Sequence, residues 1–276
     1  MEITLASERL YQLTPKVSLE VARAKVEEKK TSLIAGTLGS LLSRPKPEDI
    51  VLVADQQRWE PFWHLTIHLR TVYERHRDYL VAMGGSEVKQ VTLLGQTLPV
   101  EAGKVQLSGV EHCEEELRLT RALTGAGAPL ADGARLVDLP KAELPDPGAL
   151  QADGWLAQTP EVSAGAVIRQ VLAEVIKPVK AEVIHEERLT MEAVDLYFRP
   201  IYAFEYHWAA KGKRAVVQCD GLTGDLKLGG PNLGTQIRKM LNRDMLFDIS
   251  ADAVGTFVPF GGVMVKLTKA AIDLKR

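Results

Sequence analysis

Two segments of the chain repeat one pattern. Residues 61–69 read PFWHLTIHL and residues 200–208 read PIYAFEYHW, so each starts with proline and then places large apolar side chains at every second position. Such alternation is typical of a β-strand with one buried face. Each segment follows a predicted helix, and the phrases that open the two helices, at 14–18 and 159–163, also match. The repetition predicts an α+β fold of two similar modules, each a helix packed on an antiparallel β-sheet.

The alternation also divides the side chains of each strand between two faces. The aromatic residues at 202, 204, 206 and 208 share one face. Such large groups bury ~150–250 Å² each when a helix covers them. The corresponding face of the first copy carries the apolar residues at 63, 65, 67 and 69. The opposite faces are expected to point outward and to form a recognition surface that includes Thr66, His68, Glu205 and His207.

Changes of composition along the chain predict four segments. Residues 1–123 are the first module, with a meander of short strands at 50–53, 62–69, 79–83 and 88–94. Residues 124–158 hold four prolines and five glycines and show no helix or strand period, which indicates a linker or a long ordered loop. Residues 159–230 are the second module. Residues 231–276 are predicted to form a helical C-terminal tail.

The second half contains a hairpin with a distinctive turn. Residues 199–206 (RPIYAFEY) lead through a KGKR turn at 211–214 to residues 216–226 (VVQCDGLTGDL). This arrangement, with its closing Asp-Gly-x-Thr-Gly, resembles PepSY-type domains, and the first half is similar to a diverged copy with GGSE at 84–87 in place of that turn. The resemblance implies a non-catalytic α+β module. Relatives in that family are often extracytoplasmic binding or inhibitory modules, and no functional residue is carried over from them.

Charge and cysteine content restrict the partners and the compartment. The formal net charge is −2 and the pI about 6.3, so no overall field attracts nucleic acid, and we expect no nucleic-acid partner. Only two cysteines occur, which favours a reducing compartment. The start of the chain has neither the basic nor the apolar region of a signal peptide. These features predict a cytoplasmic protein.

Histidines in the first half are the only candidates for a metal site. His68 and His76 could face each other across a hairpin, joined by His112 or Cys113. Imidazole and thiolate are the ligands that zinc prefers. The simpler interpretation is that these residues lie on the polar face of a half-exposed sheet, because the sequence has no closely spaced ligand pair.

The combined features favour a non-catalytic binding or assembly protein, with a protein partner or self-association and without a cofactor. Two alternatives belong to other functional classes. One is a zinc-dependent hydrolase whose site contains His68, His76, His112 and Cys113. The other is a peripheral membrane adaptor that uses the apolar residues 257–265, a segment too short to span a bilayer. Small-residue apolar stretches at 31–42 and 253–267 could each dock a partner or pack internally.

Overall fold

A computed structural model describes residues 2–37, 46–230, 233, 241–247 and 266–269. The strands are β1 (Glu2–Leu5), β2 (Glu8–Leu13), β3 (Ile50–Ala82), β4 (Gln90–Leu93), β5 (Gln96–Pro99), β6 (Lys104–Thr124), β7 (Lys141–Glu143), β8 (Leu156–Ala157), β9 (Val183–Trp208), β10 (Lys213–Asp220), β11 (Leu226–Leu228) and β12 (Lys266–Lys269). The helices are α1 (Leu19–Thr37), α2 (Gly133–Leu136), α3 (Ala164–Val175) and α4 (Arg243–Leu246), and 3-10 turns occupy Pro47–Asp49, Pro147–Gly154 and Ala209–Lys211.

Ten of the described strands form one mixed sheet around β9. Along one side, β9 pairs antiparallel with β3, from Trp208 opposite Ile50 to Val183 opposite Glu74. Along its other side it pairs antiparallel with β10 and parallel with β2 and β1. β6 pairs antiparallel with the outer side of β3. The short strands β7, β8, β11 and β12 extend this framework, while β4 and β5 form a separate hairpin.

Helix α1 covers the C-terminal half of β9. Its buried residues Ala22, Val26, Lys30 and Ile34 recur every four positions and so lie on one face of the helix. The three apolar ones belong to a cluster with the aromatic side chains at 202, 204, 206 and 208. The Nζ atom of Lys30 donates a hydrogen bond of 2.9 Å to the carbonyl of Ile50, which satisfies part of the charge that burial removes from water.

Helix α3 covers the neighbouring part of β3. A clear apolar stripe along the helix is buried, including Ile168, Val171 and Leu172, none of which is measurably exposed. These residues share a cluster with Trp63 and Leu65 of β3. The indole nitrogen of Trp63 also donates to the carbonyl of Val162, just before the helix, at 3.2 Å.

The segment 124–158 covers part of the opposite face of the sheet. Leu136 of α2 packs there with Phe62 of β3 and Tyr197 of β9. The ring of Tyr197 stacks on Tyr11 at 4.9 Å and on Phe62 at 5.1 Å between centroids. Both faces of the sheet are therefore buried at this point, so Phe62, which the alternation placed on an outward face, is also a core residue.

The prediction of an α+β fold with two similar helix-on-sheet modules is wrong. The described structure is mainly β, one sheet runs through both halves, and each long helix packs on the strand predicted for the other half. The expected meander is also wrong, because 50–53, 62–69 and most of 79–83 lie in the single strand β3. Alternation shows that a strand face is buried, but it does not show which helix covers that face.

The predicted helical tail is only partly described. Arg243–Leu246 forms the short helix α4, but Lys266–Lys269 forms strand β12, which pairs parallel with β1. The apolar stretch 257–265 and most of 253–267 lie outside the described residues, as do residues 38–42 of the other small-residue stretch.

The Asp-Gly-x-Thr-Gly sequence forms the connection between β10 and β11. The Oδ1 atom of Asp220 accepts hydrogen bonds from the backbone N–H groups of Leu222 at 2.7 Å and Thr223 at 3.2 Å. Gly224 has φ of +75°, a backbone conformation that favours glycine. These residues therefore stabilise a turn. The carbonyl of Gly221 also accepts hydrogen bonds from the backbone N–H groups of Lys16 and Val17, at 2.8 and 2.9 Å, which connects the turn to the segment before α1.

Candidate functional site

A long ribbon of β3 and β6 extends from the sheet. We use "the ribbon" for residues 69–82 of β3 and their partners 104–117 of β6, from Leu69 opposite Leu117 to Ala82 opposite Lys104. The pairing of β3 with β9 ends at Glu74, so in the described part of the chain the outer ribbon consists of β3 and β6 alone. Cross-strand hydrogen bonds hold it together, as in the bonds that Gln106 and Ser108 donate to Asp78 at 2.9 and 2.6 Å.

Among the strands that the structure describes, none lies beside the outer edge of β6. Within the described residues, β6 pairs only with β3, in a ladder that runs without a register shift from Thr124 to Lys104. At one end the edge is closed where Leu130 donates a hydrogen bond to the carbonyl of Ala122. Along most of the rest of this 21-residue strand, the backbone N–H and C=O groups of every second residue point outward. Such an edge can accept a further strand.

A cavity of about 780 Å³ lies over the face of the sheet that ends at β6, and its lining includes Glu187 of β9 as well as residues of β3 and β6. One wall is the ribbon, and the other is the C-terminal end of α3 with the following residues 176–180. The apolar part of the lining comes from Leu69 and Leu117 on the ribbon and from Val175, Ile176 and Val179 on the other wall. All four residues from Glu114 to Leu117 line the cavity. The cavity therefore extends across this face of the sheet as far as the edge strand β6.

Tyr73 and Glu115 form the polar part of the ribbon wall. Tyr73 is 3% exposed, and its hydroxyl donates a hydrogen bond of 2.6 Å to Oε1 of Glu115. This hydrogen bond, together with burial, raises the pKa of Tyr73 to about 12. Arg75, on the same face, donates to Oε2 of Glu111 at 2.5 Å. The opposite wall carries the exposed ammonium groups of Lys177 and Lys180.

The other face of the ribbon carries a polar network. His112 and His185 both contact Oε1 of Glu74, at 3.0 and 2.9 Å. The hydrogen bond from His185 lowers the pKa of Glu74. Arg70 contacts Glu114 at 2.7 Å and Glu186 at 2.9 Å, and so joins β6 to β9 across β3. The two faces of the ribbon therefore differ. The face with this network is called the charged face, and the other face borders the cavity and carries the Arg75–Glu111 pair.

The residues of the expected recognition surface are not brought together. Thr66 lies opposite Ala193 of β9, whereas Glu205 lies opposite Ala54, which separates them by roughly 40 Å along the strand. Thr66 is buried beside Thr120, with 3.3 Å between their hydroxyls. Glu205 is 1% exposed and accepts hydrogen bonds from Arg214 at 3.1 Å and from the backbone N–H of Leu233 at 2.9 Å. His68 and His207 are partly exposed, each on a different strand.

The candidate zinc ligands are also dispersed. His68, His76 and His112 lie on one face of the ribbon strands, while Cys113 is opposite Tyr73 on the other face. His68 contacts Glu116 at 3.2 Å, and His112 contacts Glu74 instead of another candidate ligand. Within the described residues, no group of three or more His, Cys, Asp or Glu side chains is arranged to hold a metal ion. The zinc site therefore stays a prediction.

Sequence reasoning missed Glu74, His185 and the edge of β6. His185 and Glu74 are 111 positions apart in the chain, and only the β3–β9 register brings them into contact. The edge could be inferred only from knowledge of which strand is outermost. A local signal did exist, since Glu114, Glu115 and Glu116 follow one another in a strand, and runs of charge are common on exposed edges.

No helix in the described part of the chain combines the length and apolar character needed to cross a bilayer. Comparison of the chain with protein-family models, with curated proteins and with solved structures found no match. The resemblance to PepSY-type domains consequently stays a prediction.

Proposed function

We propose that this protein is a non-catalytic binding or assembly protein that takes up a β-strand of another polypeptide along the outer edge of β6. One observation carries the proposal: β6 is long, continuous and paired on one side only within the described structure. Strand addition uses main-chain hydrogen bonds for affinity and side-chain pockets for specificity. The edge of β6 offers the first, and the adjoining cavity offers the second.

The contrast between two ladders supports this assignment. The β3–β9 pairing contains three register shifts, whereas the β3–β6 pairing contains none over its whole length. Bulges are one of the features that keep edge strands from pairing with other chains. The edge strand also exposes apolar side chains, with Val110 46% and Leu117 44% exposed. A regular strand with these exposed groups is suited to pairing.

Proline substitution at two adjacent positions tests the proposal. Consecutive residues of β6 direct their N–H groups to opposite sides, so Leu117→Pro and Arg118→Pro remove one N–H that faces β3 and one that faces outward. The variant that loses a hydrogen bond to β3 is expected to be clearly destabilised. The variant that loses only the outward N–H is expected to keep the fold, and we call it the edge variant.

The wild type and the edge variant are then compared in two measurements. Light scattering reports self-association, and selection from a displayed library of unstructured peptides reports binding of a foreign strand. We expect association or peptide binding in the wild type, with protection of β6 amides from hydrogen exchange, and its loss in the edge variant. If association and peptide binding both leave β6 amides unprotected, or persist in the edge variant, the assignment is wrong.

We also propose a cytoplasmic location. Both cysteines are free thiols: Cys219 is buried in the cluster beneath α1, and Cys113 is partly exposed on the ribbon. Burial raises the pKa of the Cys219 thiol, which lowers its reactivity. A partly exposed thiol on a binding surface is easier to maintain in a reducing compartment.

A further inference from the structure

The edge of β6 has different chemistry on its two faces. Glu114 and Glu116 point to the charged face of the ribbon, with 57% and 61% of their side chains exposed. Glu115 and Leu117 point to the face that borders the cavity. A strand added at this edge would therefore place its own side chains alternately beside carboxylates and above the cavity.

The charged face has more carboxylate than fixed positive charge near the edge. Glu114 contacts Arg70, whose guanidinium also contacts Glu186, and Glu186 has a second partner in Arg188 at 3.2 Å. The next cation on this face of β6, Arg118, is paired with Glu192 at 2.8 Å. Glu116 contacts His68, which is charged only when protonated. Directly opposed charges of opposite sign stabilise neighbouring strands, and like charges destabilise them. The positions of an added strand that lie opposite Glu114 and Glu116 are therefore best occupied by lysine or arginine.

The cavity face requires a different type of side chain. Its apolar surface is provided by Leu69, Leu117, Val175, Ile176 and Val179. The charges on the far wall are mixed, with Lys177 and Lys180 beside Glu174, so they do not favour a further charge of either sign. The position of the added strand opposite Glu115 is accordingly best occupied by a branched apolar residue. Its side chain would extend into the cavity, and removal of its apolar surface from water would stabilise the complex.

We infer that the occupant of the β6 edge is an extended segment of a different protein with alternating character: basic residues opposite Glu114 and Glu116, and an apolar residue between them that enters the cavity. The inference rests on the proposed function, because it requires strand addition at this edge. It goes further by specifying the chemistry of the partner. A second copy of this chain is an alternative occupant that the experiment distinguishes.

The test uses the full-length protein and short capped peptides labelled with a fluorophore. The probe alternates lysine and valine. Its controls are a peptide that alternates glutamate and valine, a peptide of the same composition with lysines and valines in separate blocks, and an N-methylated probe that cannot donate strand hydrogen bonds. Fluorescence anisotropy gives the Kd, and hydrogen exchange of amides 112–118 reports the site.

We expect the alternating lysine–valine probe alone to bind with protection of these amides. Glu114→Gln and Glu116→Gln should each weaken binding about two- to fivefold, as expected for loss of one cross-strand charge pair. Glu28→Gln is the matched control, because it removes one negative charge from an exposed position on α1 and should leave the Kd unchanged. Replacing the central valine of the probe with alanine should weaken binding about tenfold.

Several results would overturn the inference. Equal protection by the glutamate–valine peptide would show that the edge pairs without the proposed charge preference, and the proposed function would stand. If the N-methylated probe binds as tightly as the unmodified probe, the affinity comes from surface charge and not from strand hydrogen bonds. A dimer that dissociates in the edge variant would assign the edge to a second copy, and again only the inference would fail. Absence of protection by every peptide would also reject it, and the proline comparison would decide the proposed function separately.

Discussion

The buried carboxylates Asp195 and Glu205 are each held by a guanidinium. Asp195 is 2% exposed and accepts two hydrogen bonds from the guanidinium of Arg9, at 2.9 and 3.0 Å. This bidentate contact raises the pKa of Arg9. Buried Glu205 is bonded to Arg214 and to a backbone N–H. Because an unpaired buried charge costs several kcal/mol, these contacts restrict the sheet to one register.

The tyrosines provide a pH-dependent property of the fold. All six have pKa values raised above 10: burial is the main cause for Tyr11, Tyr197, Tyr202 and Tyr206, and a hydrogen bond to a glutamate is the main cause for Tyr73 and Tyr79. At a pH above the unfolded value near 10, the folded chain keeps protons that the unfolded chain has released. The free energy of unfolding must then fall as pH rises.

We expect ultraviolet absorbance of tyrosinate to stay low in the folded protein at about pH 10 and to rise when denaturant is added at the same pH. Circular dichroism at each pH shows whether the chain is still folded. Tyr73→Phe should remove one late-titrating group and reduce the loss of stability at high pH. If all the tyrosines of the folded protein ionise near pH 10, as in an unfolded chain, the burial and hydrogen bonds described for them are wrong.

At the level of single residues, the sequence predicted which side chains share a face but not which side chains meet. Period-2 alternation placed His68, His76 and His112 on polar positions, and all three lie on one face of the ribbon. Their separations depend on the pairing register, which no local pattern contains. The register brings His112 to Glu74 and leaves His68 several residues away.

At the level of elements, the main feature is the exchange of helices between halves. α1 precedes β3 in the chain but packs on the aromatic face of β9, and α3 precedes β9 but packs on β3. The sequence predicted both helices and the buried aromatic face at 202–208. It did not predict the partners, because a helix stripe and a strand face show only that each is buried.

A double-mutant cycle tests this exchange. Val26 of α1 and Phe204 of β9 belong to one buried cluster, whereas Ile67 of β3 belongs to the other. We expect Val26→Ala and Phe204→Leu to couple by about 0.5–3 kcal/mol in the free energy of unfolding, measured by urea denaturation. Val26→Ala and Ile67→Val should be additive within about 0.5 kcal/mol.

The matched control for packing lies on the same helix. Val21 of α1 is 58% exposed, so Val21→Ala should change stability by less than about 0.5 kcal/mol. Coupling of Val26 to Ile67 in place of Phe204 would show that α1 packs on the strand of its own half.

At the level of the whole molecule, the two halves of the chain are interleaved. β3 from the first half and β9 from the second pair over most of their lengths, and the helix of the opposite half packs on part of each. Segments β1 and β2 at the start of the chain pair with β9 as well. A division of the chain into 1–158 and 159–276 would therefore separate each strand from its neighbour and from its cover.

Expression of those two fragments tests the interleaving. Alone, each fragment would expose the apolar faces that the other half covers, which removes much of the driving force for folding. We expect neither fragment to show a cooperative thermal transition, and we expect the co-expressed fragments to copurify as a folded complex.

The control is the full chain cut by a protease site placed at Leu94, a fully exposed residue between β4 and β5, because that cut leaves every strand of the main sheet intact. Cooperative unfolding of either isolated fragment would show that the halves fold as separate units, and the single interleaved core would have to be abandoned.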